Sequence, residues 1–264
     1  MFLGVEIGGT KLQVGACDAR GRLKQLVRAR VDRPRGRDGI LKQLQTIIPA
    51  LLREHRVTGI GVGFGGPVDV ERGRVLRSFH VTGWDGFELK RWFARQFKLP
   101  VIVDNDTNCA ALAEAVAGAG RGKRRVFYGN VGTGVGGGLV IDGRLYNGRG
   151  GAMEIGHTWL MADGKWKTPE MVASGLAIER GVSTLSQAAR HYGVALANVI
   201  TLLNPDIVVI GGGVSLAGNQ FFRPLRATVK RFAFPLFAGN CKIVAAGLGE
   251  TVVVVGAALR ARAN

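Results

Sequence analysis

Apolar positions along this chain follow two periods, and the switching between them lays out its elements. Near the start, Gly4-Val5-Glu6-Ile7 reads as an apolar strand. It is followed by the turn Gly8-Gly9-Thr10, a second apolar strand through Ala16, and a hairpin end at Asp18-Ala19-Arg20-Gly21. From Asp38 to Arg56, residues Ile40, Leu41, Leu44, Ile47, Ile48, Leu51 and Leu52 recur at helical spacing. Pro49 inside that face predicts a kink or a split. Gly59–Phe64 and Pro100–Val103 read as buried strands, Glu88 to Phe97 as a short helix, and Cys109 to Ala119 as an alanine-rich helix. The second half repeats the pattern. A hairpin over 126–145 is followed by a long helix from Thr184 to Asn204, closed by Pro205. Next come a strand over Asp206–Ile210, a basic helix, a strand at Cys241 to Ala246 and a last helix from Thr251 to Arg262. Gly256-Ala257-Ala258 in that last helix are small enough for close packing. The alternation predicts a mixed, mainly parallel sheet covered by helices, built twice.

The repetition carries chemistry. The turn Gly8-Gly9-Thr10 has a counterpart in Gly132-Thr133-Gly134, again between two apolar strands. Turns of this composition let backbone N–H groups converge without interference from Cβ atoms, which makes a cradle for an anion such as phosphate. One such turn could serve a plain hairpin; two related ones point to two similar half-domains facing each other across a cleft, each gripping part of a polyphosphate ligand.

Composition narrows the class. At 264 residues, with 47% hydrophobic and 21% charged residues, the chain is a folded globular protein. No apolar run reaches transmembrane length, and Met1 leads into a strand without a signal-peptide pattern, so no membrane role is expected. Cys17, Cys109 and Cys241 are scattered, without a pairable framework, which suits a reducing cytoplasm. Lys and Arg number 36 against 19 Asp and Glu, a net charge of +17. Basic residues cluster at Arg28–Arg37 and at Arg121–Arg125. They admit two readings: an attraction for polyanions, or solvated loops between elements. No nucleic-acid recognition motif accompanies them, so the solvated reading is preferred and no DNA partner is expected.

Five motifs then occur in order: Gly8-Gly9-Thr10-Lys11; Asn105-Asp106-Thr107-Asn108; Gly132-Thr133-Gly134-Val135-Gly136-Gly137-Gly138; Glu154-Ile155-Gly156-His157; and Asn204-Pro205 through Gly211-Gly212-Gly213. Together they resemble the ROK family of bacterial sugar kinases and related repressors, over nearly the whole chain. The resemblance implies an α/β fold of two ribonuclease-H-like (actin-like ATPase) half-domains around a central cleft. The first is expected to hold residues 1–106 plus 250–264, and the second residues 107–249. It also implies a cytoplasmic, glucokinase-like enzyme that transfers phosphate from ATP to a hexose with Mg²⁺, as a homodimer or other homo-oligomer.

By its residues alone, Asp106 could be a general base or simply a helix cap. The resemblance assigns it as the base that takes the hydroxyl proton. It likewise implies that Gly65, Asn105, Glu154, His157 and Glu170 bind the sugar. Gly8, Gly9, Thr10, Lys11, Gly132, Thr133 and Gly134 would cradle the donor phosphates, and Gly211, Gly212 and Gly213 would let adenosine lie against the backbone. Glu6 replaces the family's usual aspartate and would approach Mg²⁺ through water.

The sequence departs from the family in three further places. The zinc-binding cysteine loop that most members carry after the Gly-His is replaced by Thr158–Thr168, which has no cysteine, so no structural zinc is expected. Two tryptophans there, Trp159 and Trp166, are expected to supply by packing what zinc supplies elsewhere. Helices that usually follow Gly175 are missing, and His80 stands where asparagine is common. With no helix-turn-helix ahead of the first strand, the repressor branch is disfavoured. Two alternatives remain: a non-catalytic, sugar-binding or regulatory relative, and a kinase whose donor is polyphosphate.

Overall fold

The computed structural model describes residues 1–78, 81–148 and 151–262, and the chain divides into two compact units. The first comprises Met1–Ala117, Asn147–Gly151 and Glu250–Asn264; the second comprises Gly118–Tyr146 and Ala152–Gly249.

In the first unit, β1 (Phe2–Ile7), β2 (Lys11–Cys17) and β3 (Leu23–Arg30) form an antiparallel ladder. After α1 (Gly36–Glu54), β4 (Gly59–Phe64) pairs parallel to β1. A two-stranded ribbon, β5 (Val68–Asp69) and β6 (Arg74–Val75), precedes α2 (Leu89–Phe97), β7 (Val101–Asn105) and α3 (Asp106–Val116). The strand order is β3-β2-β1-β4-β7. Every residue of the central strand β4 is buried, as expected for a parallel strand covered on both faces. The edge strand β3 alternates instead, exposing Lys24, Arg28 and Arg30, charges that discourage edge-to-edge pairing.

Pro49 does not split α1. The helix runs through it, with Ile48 and Leu51 buried on either side, and His55 N donates to Leu51 O at 3.0 Å beyond it. Proline removes one donor from the ladder, and the apolar face on both sides keeps its packing against the sheet.

The second unit begins with β8 (Arg125–Val131), β9 (Val135–Ile141) and β10 (Arg144–Leu145). A 3-10 turn at Ile155–His157 leads to the hairpin β11 (Leu160–Ala162) and β12 (Lys165–Lys167). Two short helices, α4 (Pro169–Ala173) and α5 (Gly175–Glu179), precede the long α6 (Leu185–Leu203). Then come β13 (Ile207–Gly211), α7 (Asn219–Phe232), α8 (Pro235–Ala238) and β14 (Lys242–Ala245). Both ends of α6 follow from local chemistry. Thr184 and Gln187 form a reciprocal capping box at its start, and Asn204 takes the left-handed conformation that ends it. The sheet order β10-β9-β8-β13-β14 has three antiparallel strands followed by two parallel additions, the same topology as the first.

The chain then returns to the first unit with α9 (Val252–Arg262). A Cβ at Gly4, Gly61 or Gly256 would overlap the backbone of Val254, Ala257 or Cys109 respectively. The last helix therefore lies directly on β1, β4 and α3, at a separation only glycine permits. This packing places α3 in the first unit through Ala117, beyond the boundary expected at residue 106.

Candidate active site

In the first unit the candidate residues gather where β1, β4 and β7 end. The turn between β1 and β2 is closed by Gly8 N donating to Lys11 O at 3.0 Å, and Gly65 N donates to Ile7 O at 2.9 Å. Gly65 has room for no more than a light contact: a Cβ there would stand 3.4 Å from Asp106 Oδ2. Gly8, Gly9 and Gly65, with Phe64 and Trp84, line one narrow slot.

Two side chains meet the backbone at the start of α3. Asn105 is the cap: its Oδ1 accepts from Thr107 N at 2.8 Å and from Asn108 N at 3.3 Å. Asn105 Nδ2 donates to Gly66 O at 3.1 Å, which ties the glycine turn after β4 to the helix start. Asp106 occupies the first helical position, where the positive end of the helix favours a carboxylate. Its Oδ1 accepts from Thr107 N at 2.7 Å. One residue earlier, Asp104 is buried, with Oδ1 accepting from Asn105 N (2.8 Å) and Asn108 Nδ2 (2.9 Å) and Oδ2 facing Arg260 Nε of α9 at 2.8 Å.

Glu6 sits in a network that sequence reasoning missed. Gln13, fully buried on β2, donates from Nε2 to Glu6 Oε2 at 2.7 Å and to Glu250 O at 3.0 Å. Arg28 Nε donates to Gln13 Oε1 at 3.1 Å, and Lys11 Nζ stands 3.6 Å from Glu6 Oε1. Burial pushes the Glu6 carboxyl above its ordinary range; the Lys11 ammonium and the Gln13 hydrogen bond oppose this, and the charge of Asp106 adds to it. A direct magnesium ligand needs an ionised carboxylate with an open oxygen. Gln13 and Lys11 engage the two oxygens of Glu6, so it does not fit the role of a direct ligand, and an approach to a metal would run through water. The available signal for the network was a glutamine among the apolar residues of β2.

Arg33 was also missed as a site residue. The cluster Arg28–Arg37 runs from the end of β3 into α1 with Arg28, Arg30, Arg33 and Arg35 exposed, and within it Arg33 Nε donates to Gly9 O at 2.6 Å. In the second cluster, Arg124 precedes β8 and Arg125 opens it; both stay exposed and pair with Asp142 and Asp206 respectively.

In the second unit, Val135 at the start of β9 is the meeting point. Glu170, on the first turn of α4, accepts from Val135 N through Oε2 at 3.0 Å, and a Cβ at Gly134 would stand 2.6 Å from that oxygen. Gly156 of the Glu154–His157 segment packs against the Val135 carbonyl. Glu154 and His157 are exposed on either side of it. Gly175 N donates to Gly132 O at 2.7 Å and holds the turn from behind. Gly212, with φ +88°, packs against Val131 and Gly132, while no atom lies within 4 Å of a Cβ built on Gly213. Turn 132–134 and loop 211–213 thus adjoin, with open space above glycine of the kind an adenosine and its phosphates need.

The tryptophans of the loop after His157 do not pack. Trp159 and Trp166 are 62% and 66% exposed, and the buried residues of the β11–β12 hairpin are Leu160 and Ala162. A two-stranded hairpin turns alternate residues to opposite faces, and here the small apolar ones face inward. His80 lies outside the described residues.

The family model for ROK matches residues 2–187 and 179–264, and the chain belongs to the ROK family. The glucokinase of Thermotoga maritima is 30% identical over 97% of this chain and 96% of its own length. The ROK hexokinase of Thermus thermophilus superposes with a TM-score of 0.86 at 29% identity, covering 98% of this chain and 97% of that one. A ROK family glucokinase from Streptomyces griseus, solved with glucose and AMPPNP, gives 0.84 at 29% identity, covering 100% and 99%. The α/β fold is therefore that of the actin-like ATPases.

Proposed function

We propose that this protein phosphorylates a hexose hydroxyl with ATP as donor, with Asp106 as general base. The observation that carries the reading is the division of labour at the start of α3. Asn105 caps the helix, while Asp106 holds the first helical position at its positive end, with Oδ1 on Thr107 N, beside Gly65. There Asp106 takes the proton while the sugar oxygen forms its new bond to phosphorus and the bond to the leaving ADP breaks. Gly8, Gly9, Thr10 and Lys11, with Gly132, Thr133 and Gly134, form the turns that receive the donor phosphates, and Gly211–Gly213 accommodate the nucleoside. Asn105 has one Nδ2 proton beyond its bond to Gly66, suited to a sugar hydroxyl. Glu154, His157 and Glu170 provide further sugar contacts, Glu170 through Oε1, since Oε2 holds Val135. We keep magnesium with the donor phosphates, since the surroundings of Glu6 do not suit a direct ligand. The named activities of the relatives support a sugar kinase.

A coupled ADP-release assay across glucose, fructose, mannose and N-acetylated hexosamines tests this. Asp106→Asn is expected to lower kcat by about 10²–10⁴ while sugar binding survives. Near-normal turnover in that variant removes Asp106 as the base.

One observation favours a second donor. Arg33 places a guanidinium on the rim of the first glycine turn, where a polyanionic chain gains from it. Polyphosphate supporting turnover as well as ATP does would shift the reading to that donor.

A further inference from the structure

We propose that the first unit carries a second binding site, for a small planar ring bearing a phosphate or similar anionic group, in the cavity beside α2. The cavity holds about 520 Å³ and is lined by Arg37, Phe87, Arg91, Trp92, Arg95 and Gln96, with Asp85 and Glu88 at its acidic side. That volume falls in the range of small-molecule sites, roughly 300–1,000 Å³. None of these residues belongs to the glycine turns or to the groups around Asp106.

The chemistry of the walls selects the ligand. Arg91 and Arg95 stand four residues apart on α2, so their side chains share one face and repel each other. Neither forms an ion pair or side-chain hydrogen bond among the described residues, whereas Arg124 and Arg125 do. Two adjacent guanidiniums without a partner are matched by a phosphate, which accepts from both forks. Arg37 is fixed: its guanidinium lies 4.6 Å from the Phe87 ring centroid, donates to Gly83 O at 2.8 Å and pairs with Asp38. It forms a flat wall rather than a mobile charge. Trp92 is half-buried and packs edge-on against Phe93 and Phe97, which orients its ring at the cavity. Asp85 and Glu88 make no ion pair with either guanidinium among the described residues, and Asp85 Oδ1 accepts from Ser78 N at 2.9 Å. The start of α2 adds no anion site, since Leu89 N and Lys90 N already donate to Phe87 O and Gly73 O at 2.9 Å. Recognition therefore rests on the two arginines for the anion and on Trp92 and the Arg37 guanidinium that covers Phe87 for the ring.

Calorimetric titration of the intact protein with phenyl phosphate tests the proposal, with AMPPNP present to fill the donor site. Saturable one-to-one binding is expected, with phenol and inorganic phosphate each weaker by at least about tenfold, the effect of losing one half of the recognition. AMP is expected to bind this site more tightly than glucose 6-phosphate, because only its base is planar. R91E/R95E should weaken phenyl phosphate at least about tenfold and leave kinase turnover without added ligand unchanged. Should that variant fail a circular-dichroism check of folding, R91Q and R95Q singly carry the same expectation. Binding weaker than about 10 mM, binding unaffected by the arginine variants, or phenol or phosphate binding as tightly as phenyl phosphate would each overturn it.

Discussion

The pairing of Asp104 with Arg260 ties the chain's last helix to the strand that delivers Asp106, and its removal should be costly. Asp104 is 1% exposed, and Arg260 Nε stands 2.8 Å from its Oδ2. Arg260→Met keeps an apolar stem of similar length but leaves a buried carboxylate facing no cation. Breaking a buried pair in this way costs about 3–5 kcal/mol, a large share of a typical domain's stability of about 5–15 kcal/mol. Asp104→Asn keeps an oxygen for Asn105 N and Asn108 Nδ2, and the guanidinium it abandons retains some exposure, so about 1–3 kcal/mol is expected. In the double variant no charge is buried unpaired, so its loss should fall below the sum of the singles by about 1–3 kcal/mol. Two-unit proteins need not unfold in one step, so the assay is hydrogen exchange of the β1 and β4 amides under native conditions, which reads the first unit alone. An Arg260→Met loss under about 1 kcal/mol, or strict additivity, would refute the argument that the pair holds this unit together.

Three further outcomes follow from the geometry. Burial raises the Glu6 carboxyl, so its contribution to stability is present at low pH and is lost as pH rises through the raised folded value. Glu6→Gln escapes that loss, and its melting temperature relative to wild type should climb from about pH 4 to pH 8; a flat or falling difference contradicts the shift. Trp159→Ser with Trp166→Ser should change stability by no more than about 0.5 kcal/mol, as surface substitutions do, and a loss above about 1.5 kcal/mol in urea titration would restore a packing role. Arg33→Ala should raise the KM for the phosphoryl donor by about three- to tenfold with kcat little changed, and an unaltered KM would show that its contact with Gly9 does not shape the turn.

Much of the fold was legible because its signals are local. The start of the long helix at Thr184, its end at Asn204 before Pro205 and the uninterrupted run Gly59–Phe64 each depend on a few residues, and each stands where the sequence places it. Pro49 did not split α1 because its cost, one lost backbone bond, is fixed, whereas the apolar face that offsets it is a tertiary property. The tryptophans misled: large apolar side chains are usually buried, but hairpin pleating turned Leu160 and Ala162 inward instead. Within the site, the motif containing Asp106 was visible, yet the assignment of the cap to Asn105 needed backbone geometry. Arg33 and Gln13 act on residues 24 and 7 positions away, across strands, where no spacing rule reaches.

The return of α9 has a consequence for how the protein is made. The helix that covers β1 and β4 is encoded after the whole of the second unit. On the ribosome, the second unit can complete its sheet and core while the first still lacks a wall. The apolar strands β1 and β4 must then wait, one face uncovered, until residues 252–262 emerge. Synthesis at roughly 5–20 residues per second makes that wait about ten to forty seconds, long enough for a chaperone to matter. Fusions or truncations at the carboxyl end will therefore be felt at the opposite end of the sequence, in the yield of folded first unit.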